Sequence, residues 1–170
     1  MWGNSPWVRI PLPPPGAPPT GSWGRDTDPM ADMAADEVRA FLSTGTRTAK
    51  LATVTADGRP HVVPVWFVLD DDDVIFTTHE SSQKAKSLRR DPRVACCVDD
   101  ERAPFSYVMV SGTATLSTNL DDLLQWATRI GGRYMGPDRA EEFGRRNGVP
   151  GELLIRVAPT KIIAARDVAD

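Results

Sequence analysis

Residues 47 to 80, RTAKLATVTADGRPHVVPVWFVLDDDDVIFTTHE, hold three runs rich in β-branched and aromatic residues, divided by ADGR and by four consecutive aspartates, Asp70 to Asp73. Such short runs, bounded by turn residues, specify strands rather than helices, and the brief turns favour antiparallel pairing of neighbours. Strands are predicted at 47–55, 60–69 and 74–79, as a β-meander. VACCVDD (94–100) and FSYVMVSGTATLS (105–117) add two more. LLIRVAPTKIIAARDV (153–168) adds the last, broken or bent at Pro159, where a proline has no amide to give to a ladder. Six mostly antiparallel strands with peripheral helices argue for a mainly β fold, a small barrel rather than a doubly wound sheet.

Four helical segments accompany the strands. DEVRAFLSTG offers Asp36 as a cap, Val38, Phe41 and Leu42 as an apolar stripe, and Gly45 as a stop. SSQKAKSLRR follows the third strand, with Ser81 or Ser82 as its cap and Pro92 as its terminator. A longer helix is capped by Asn119, carries Leu120, Leu123, Leu124, Ala127 and Ile130 on one face, with Trp126 at its border as packing or subunit contact, and ends at Gly131 and Gly132. A short one covers 138–147 and stops near Gly148.

Composition narrows the class. At 170 residues the chain is of one-domain size, with ordinary apolar (41%) and charged (25%) fractions. No apolar run approaches the roughly 18 residues of a membrane span, and the N-terminus lacks a secretory apolar core, so a cytoplasmic protein is expected. Eight of the fifteen prolines fall in residues 1–29, which read as an extended, disordered tail ahead of a compact domain at 30–170. Cys96 and Cys97 are adjacent in a strand, point to opposite faces and read as small hydrophobes, not as a metal pair. No metal site is expected, and the aspartate run reads as a solvated turn.

Two segments carry functional information. HVVPVWFVL is apolar on both faces, although a half-solvated antiparallel strand should alternate, and Pro64 marks locally open pairing; the second face must be covered by a helix, a subunit or a flat ligand. SSQKAKSLRRDPR (81–93) places five cationic residues in a chain of net charge -3. The first turn of its helix combines free backbone donors, the positive end of the helix dipole, two serine hydroxyls and Lys84, which suits a phosphate. Arg89 and Arg90 lie at the other end, where they oppose the dipole as structural charges. A single short basic helix in an acidic protein makes no case for nucleic acid.

The order of these parts, LATVTADGRPHVVPVWF, then IFTTHESSQKAKSLRRDPRVACCVDD, then YVMVSGTATL, resembles the pyridoxamine 5'-phosphate oxidase-like split β-barrel proteins over residues 36–168. The pattern after the third strand is similar to the actinobacterial branch that uses the deazaflavin coenzyme F420, with FMN users as close relatives. The resemblance implies a six-stranded antiparallel split β-barrel, a homodimer, and a cofactor lying in a groove between the subunits. By the same resemblance, Val62, Val63, Pro64, Val65 and Trp66 run along the ring, and Thr77 and Thr78 stand near the ring or its ribityl chain. Ser82, Gln83, Lys84 and Ser87 surround the phosphate, with a serine where many relatives carry an arginine beside Ser82. Lys86, Arg133, Arg139, Arg145 and Arg146 are available to the acidic tail of F420.

The function so implied is an F420-dependent oxidoreductase passing hydride to a small conjugated or unsaturated substrate. The alternatives are an FMN-dependent oxidase or reductase of the same fold, and a non-catalytic carrier of flavin, F420 or haem. In the enzyme readings the cofactor carries the chemistry, so no catalytic residue is assigned. His61 and His79 have no nucleophile beside them and read as structural or surface residues, and Tyr107 as a phenol on the strand surface.

Overall fold

The structure, a computed structural model, describes residues 33–169, so the proline-rich segment 1–29 lies outside the described residues. Among the described residues, seven strands form one antiparallel sheet: β1 (Ala49–Val54), β2 (Pro60–Val65), β3 (Val68–Asp70), β4 (Asp73–His79), β5 (Arg93–Asp100), β6 (Ser106–Ser117) and β7 (Glu152–Ala165). Around them lie α1 (Ala35–Ser43), α2 (Gln83–Arg90), α3 (Leu120–Met135) and α4 (Ala140–Asn147), the last preceded by a 3-10 turn at Pro137–Arg139.

The strand count is seven rather than six because the run 60–69 breaks at Trp66 and Phe67. Two side chains of α3 cause the break. The Phe67 amide donates to Tyr134 Oη at 3.2 Å, and Arg133 Nη1 donates to the Phe67 carbonyl at 2.9 Å. A fully buried residue whose backbone groups are satisfied by side chains needs no strand partner. Arg133 also donates to the carbonyls of Leu42 and Gly45, which ties α1 and its following turn to the same point.

The sheet order, β2-β1-β5-β6-β7-β4-β3, corrects the expected meander. β2 pairs with β1 and β3 with β4, yet β2 and β3 stand at opposite edges. Laid flat, seven strands would span about 29 Å. Val65 and Val68 are separated by three residue steps, about 11 Å at full extension. The sheet therefore curls until its edges meet, and no ladder closes the seam between β2 and β3. Curvature is helped by the register shift at Ser111 and Gly112, opposite Pro159 to Lys161, so Pro159 sits at a bend within a continuous strand.

The interior of the curl is filled by alternate residues of the strands, among them Leu51, Phe76, Val98, Val110, Ile155 and Val157, with Val38 and Leu42 from α1 and Ala85 and Leu88 from α2. A second cluster, Ile75, Leu123, Trp126 and Leu154, lies under α3, so Trp126 is a packing residue. Leu120 and Leu124, expected on the buried stripe, are exposed. α3 does not stop at Gly131 and Gly132 but runs on to Met135, with Gly136 (φ 91°) beyond it. Gly131 has another function: a Cβ there would lie 2.5 Å from Phe143 Cβ, so its lack of a side chain lets α4 pack closely. α1 is capped not by Asp36 but from Ala34, whose amide donates to Glu37 at 2.7 Å.

The aspartate turn is an ion-pair hub rather than a solvated loop. Arg156 reaches Asp70 at 2.6 Å and Asp73 at 2.9 Å, and Arg39 meets Asp72 at 2.6 Å. Among the described residues no group of His, Cys, Asp and Glu side chains is arranged to hold a metal ion, and no helix is long and apolar enough to cross a membrane.

Candidate functional site

A cavity of about 300 Å³ opens where the end of β2 meets α2, α3, α4 and the start of β7. Pro64, Val65 and Trp66 form one wall, and Thr77 and Lys84 another. Ile130, Asn147 and Glu152 complete it.

Each wall follows from local sequence. Ser82 caps α2, its Oγ accepting from the Ala85 amide at 3.2 Å and sharing a hydrogen bond with Thr78 Oγ1 at 3.0 Å. This cap locks the helix start to the end of β4. Among the described residues the Gln83 and Lys84 amides have no hydrogen-bond partner, leaving two first-turn donors free. Lys84 is half-buried and has no ion-pair or hydrogen-bond partner among the described residues, and burial lowers its pKa from the usual lysine value. A partly desolvated ammonium beside free amides is a donor set that fits a phosphate.

Trp66 is held rather than loose. Its ring stacks on Tyr134 at 4.9 Å between centroids with 1° between planes, and Phe143 tilts against it at 5.8 Å. Tyr134 is itself fixed, because its hydroxyl accepts from Phe67 and donates to the Arg47 carbonyl at 2.8 Å. The β2 edge thus offers a rigid apolar surface of Pro64 and Trp66, suited to a flat ring.

The structure brings five of the eleven sequence-derived residues to this cavity: Pro64, Val65, Trp66, Thr77 and Lys84. The other six lie nearby but do not line it. Val62 points outward and is 60% exposed, while Val63 packs against the core. Thr78 and Ser82 bind each other, as described above. Gln83 is exposed and donates to Ser87 Oγ at 3.3 Å, and Ser87 is buried on the core side of α2. Arg133 is committed to three backbone carbonyls, Arg139 pairs with Glu142, and Arg145 with Glu141. Arg89 pairs with Glu80, and Arg90 donates to the Val54 carbonyl, as befits structural charges.

Sequence reasoning missed Ile130, Asn147 and Glu152, and with them Tyr134. Glu152 lies on β7 directly opposite His79 of β4, and burial raises its carboxyl above the ordinary glutamate value, with Lys84 and His79 opposing that rise. His79 Nδ1 accepts from the Ser81 amide at 3.2 Å and bonds Ser81 Oγ at 2.7 Å, so in the neutral ring the proton sits on Nε2. In a second cavity, of about 380 Å³ near Arg47 and Asp100, the lining cations are all paired: Arg47 and Arg102 share Asp100, and Lys50 pairs with Asp99.

Comparison with known proteins gives this geometry a context. The chain is 29% identical over 138 residues to an F420H(2)-dependent biliverdin reductase of Mycobacterium tuberculosis, covering 79% of this chain and 90% of that protein. It is 31% identical over 122 residues to a 5a,11a-dehydrotetracycline/5a,11a-dehydrooxytetracycline reductase of Streptomyces rimosus, covering 67% and 70% respectively. A solved structure of a conserved hypothetical protein from Mycobacterium tuberculosis superposes with a TM-score of 0.73 at 26% identity, over 81% of this chain and 88% of that one. Residues 34–165 match the family described as pyridoxamine 5'-phosphate oxidase, and the chain belongs to that family.

Proposed function

We propose that the protein is an oxidoreductase that binds reduced coenzyme F420 against the β2 edge and reduces a small conjugated or unsaturated molecule. The observation that carries this reading is Lys84: a half-buried ammonium at a capped helix start, without an ion-pair partner among the described residues, in one cavity with the Pro64–Trp66 wall. The reductases named above, one of them F420-dependent, support the choice of cofactor and of reaction class. FMN remains the alternative cofactor, since the same donor set suits its phosphate.

A reduced deazaflavin supplies a hydride equivalent when bound; the chain supplies position and environment. Lys84 and the amides of Gln83 and Lys84 would hold the phosphate, Thr77 would meet the polar chain, and Trp66, braced by Tyr134, would set the plane of the ring and keep water from one face. The open side would be completed by a second copy of the chain. The outward sheet face carries Ala52, Val62, Ala95, Cys97 and Met109 in register around Lys50, which pairs with Asp99, a mostly apolar, partly exposed surface next to the cavity wall that fits a homodimer interface.

Purified protein mixed with reduced F420, and separately with reduced FMN, should oxidise one of them in the presence of a quinone, bilin or enone, followed by cofactor absorbance. Failure to bind either cofactor would overturn the reading, and tight binding with no turnover across the panel would make the protein a carrier.

A further inference from the structure

Lys84 and Glu152 are opposite charges facing one small cavity without a direct ion pair between them among the described residues. Both are half-buried, so water screens their attraction poorly. The carboxylate also stands where it repels an incoming phosphate. Its placement is firm: Glu152 is held by the β4–β7 ladder opposite His79, and the Glu80 amide binds the Gly151 carbonyl at 2.8 Å just before it. The groups facing it are Lys84 from α2 and His79 from β4, while α3 and α4 contribute Ile130 and Asn147, neither of which titrates.

We propose that Glu152 is the internal counter-anion of the Lys84 site, a residue that a phosphate-bearing ligand must neutralise before it can take the lysine, and that therefore sets both the affinity of the site and its dependence on pH. The inference rests on the phosphate-site reading above. In the empty protein Lys84 favours the ionised carboxylate of Glu152. A bound phosphate takes over Lys84 and adds like charge, so Glu152 gains a proton from solvent as the ligand enters. No bond other than that O–H is made or broken. Ligand binding is then accompanied by proton uptake, and affinity falls as pH rises through the range where Glu152 ionises.

Binding of F420 and of FMN is to be measured by fluorescence in the wild type, Lys84→Ala and Glu152→Gln from about pH 4, near the ordinary glutamate value, to about pH 8. Alongside, the Glu152 carboxyl of the ligand-free protein is titrated by carbon-13 NMR, with and without inorganic phosphate. Glu152→Gln should tighten cofactor binding by on the order of tenfold and flatten its pH dependence relative to the wild type. Inorganic phosphate, and Lys84→Ala, should each move the Glu152 titration upward. Unchanged or weaker binding in Glu152→Gln, with Lys84→Ala still deleterious, would overturn the inference and leave the cofactor site standing. Cofactor binding indifferent to Lys84→Ala would overturn the phosphate-site reading itself. In that case a Glu152 titration unmoved by phosphate would refute the counter-anion role as well, and a moved one would retain it for phosphate alone.

Discussion

Lys84 differs from the three arginines of its segment in having no direct hydrogen-bond or ion-pair partner among the described residues, and from Lys86 in being half-buried. Arg89, Arg90 and Arg93 each have a carboxylate or carbonyl partner, whereas Lys84 is drawn into a half-buried position without one among the described residues. Desolvating a charge that only Glu152, across the cavity, offsets is unfavourable, so its presence is better explained by a ligand than by stability. Lys84→Ala should weaken cofactor binding by about 10- to 100-fold, corresponding to the loss of a charge-assisted hydrogen bond. The same variant should not lower the unfolding temperature; fluorescence titration and thermal melts check the two halves. The lysine was legible because a serine cap, a basic first turn and a terminating proline are all local signals. Glu152 was not, since it is 68 positions further along the chain and reaches Lys84 only through the β4–β7 ladder. Tyr134 escaped for the same reason: its value lies in meeting Trp66 across the fold.

The α3–α4 pair forms the cavity's far wall and depends on its glycines. A Cβ at Gly131 would press on Phe143 and stand 3.2 Å from the Ala140 carbonyl, whereas at Gly132 the nearest contact would be an ordinary 3.4 Å to Ala140 Cβ. Gly131→Ala should cost about 1–3 kcal/mol of stability by overpacking, and should also weaken cofactor binding because Ile130 and Asn147 move with the helices. Gly132→Ala should be close to neutral in the same denaturation and binding assays. At the α2–β5 junction, Asp91 accepts from the Arg93 amide at 3.1 Å and pairs with its guanidinium at 2.6 Å. These contacts hold the carboxyl at about 2, below the ordinary aspartate value of 3.8. With the native value depressed, the stabilisation is fully present above about pH 4 and is lost as pH falls towards about 2. Asp91→Asn should therefore be less stable than the wild type at neutral pH, by under about 1 kcal/mol for so exposed a pair. That gap should close on acidification in urea melts. The sequence marked α2 correctly at both ends, but it misplaced the end of α3. Paired glycines look like a helix stop when only propensity is considered, and close packing against α4 is what keeps them helical.

At the scale of the whole molecule, the antiparallel, mainly β character followed from alternation and turn spacing, while the strand order did not. Nothing between Val65 and Val68 signals a break, because the sequence stays apolar there and the cause lies in Arg133 and Tyr134 of α3. That break throws β2 to the far edge of the sheet, so the Pro64–Trp66 segment becomes a free rim beside α2. The same rim continues into the mostly apolar outward face, so the proposed cofactor site and the proposed dimer interface should depend on each other. In sedimentation the protein should run at twice its chain mass of 18.6 kDa. Val62→Arg should shift it towards the monomer and weaken cofactor binding together. Whether Lys84 grips the phosphate of a flavin-type cofactor whose ring lies on Trp66 can be read from diffraction by crystals grown with F420 or FMN. Phosphate density is expected within hydrogen-bond reach of Lys84 Nζ and the first-turn amides of α2, with the ring against Pro64 and Trp66. A cofactor phosphate seated elsewhere, with Lys84 still unpaired, would contradict it.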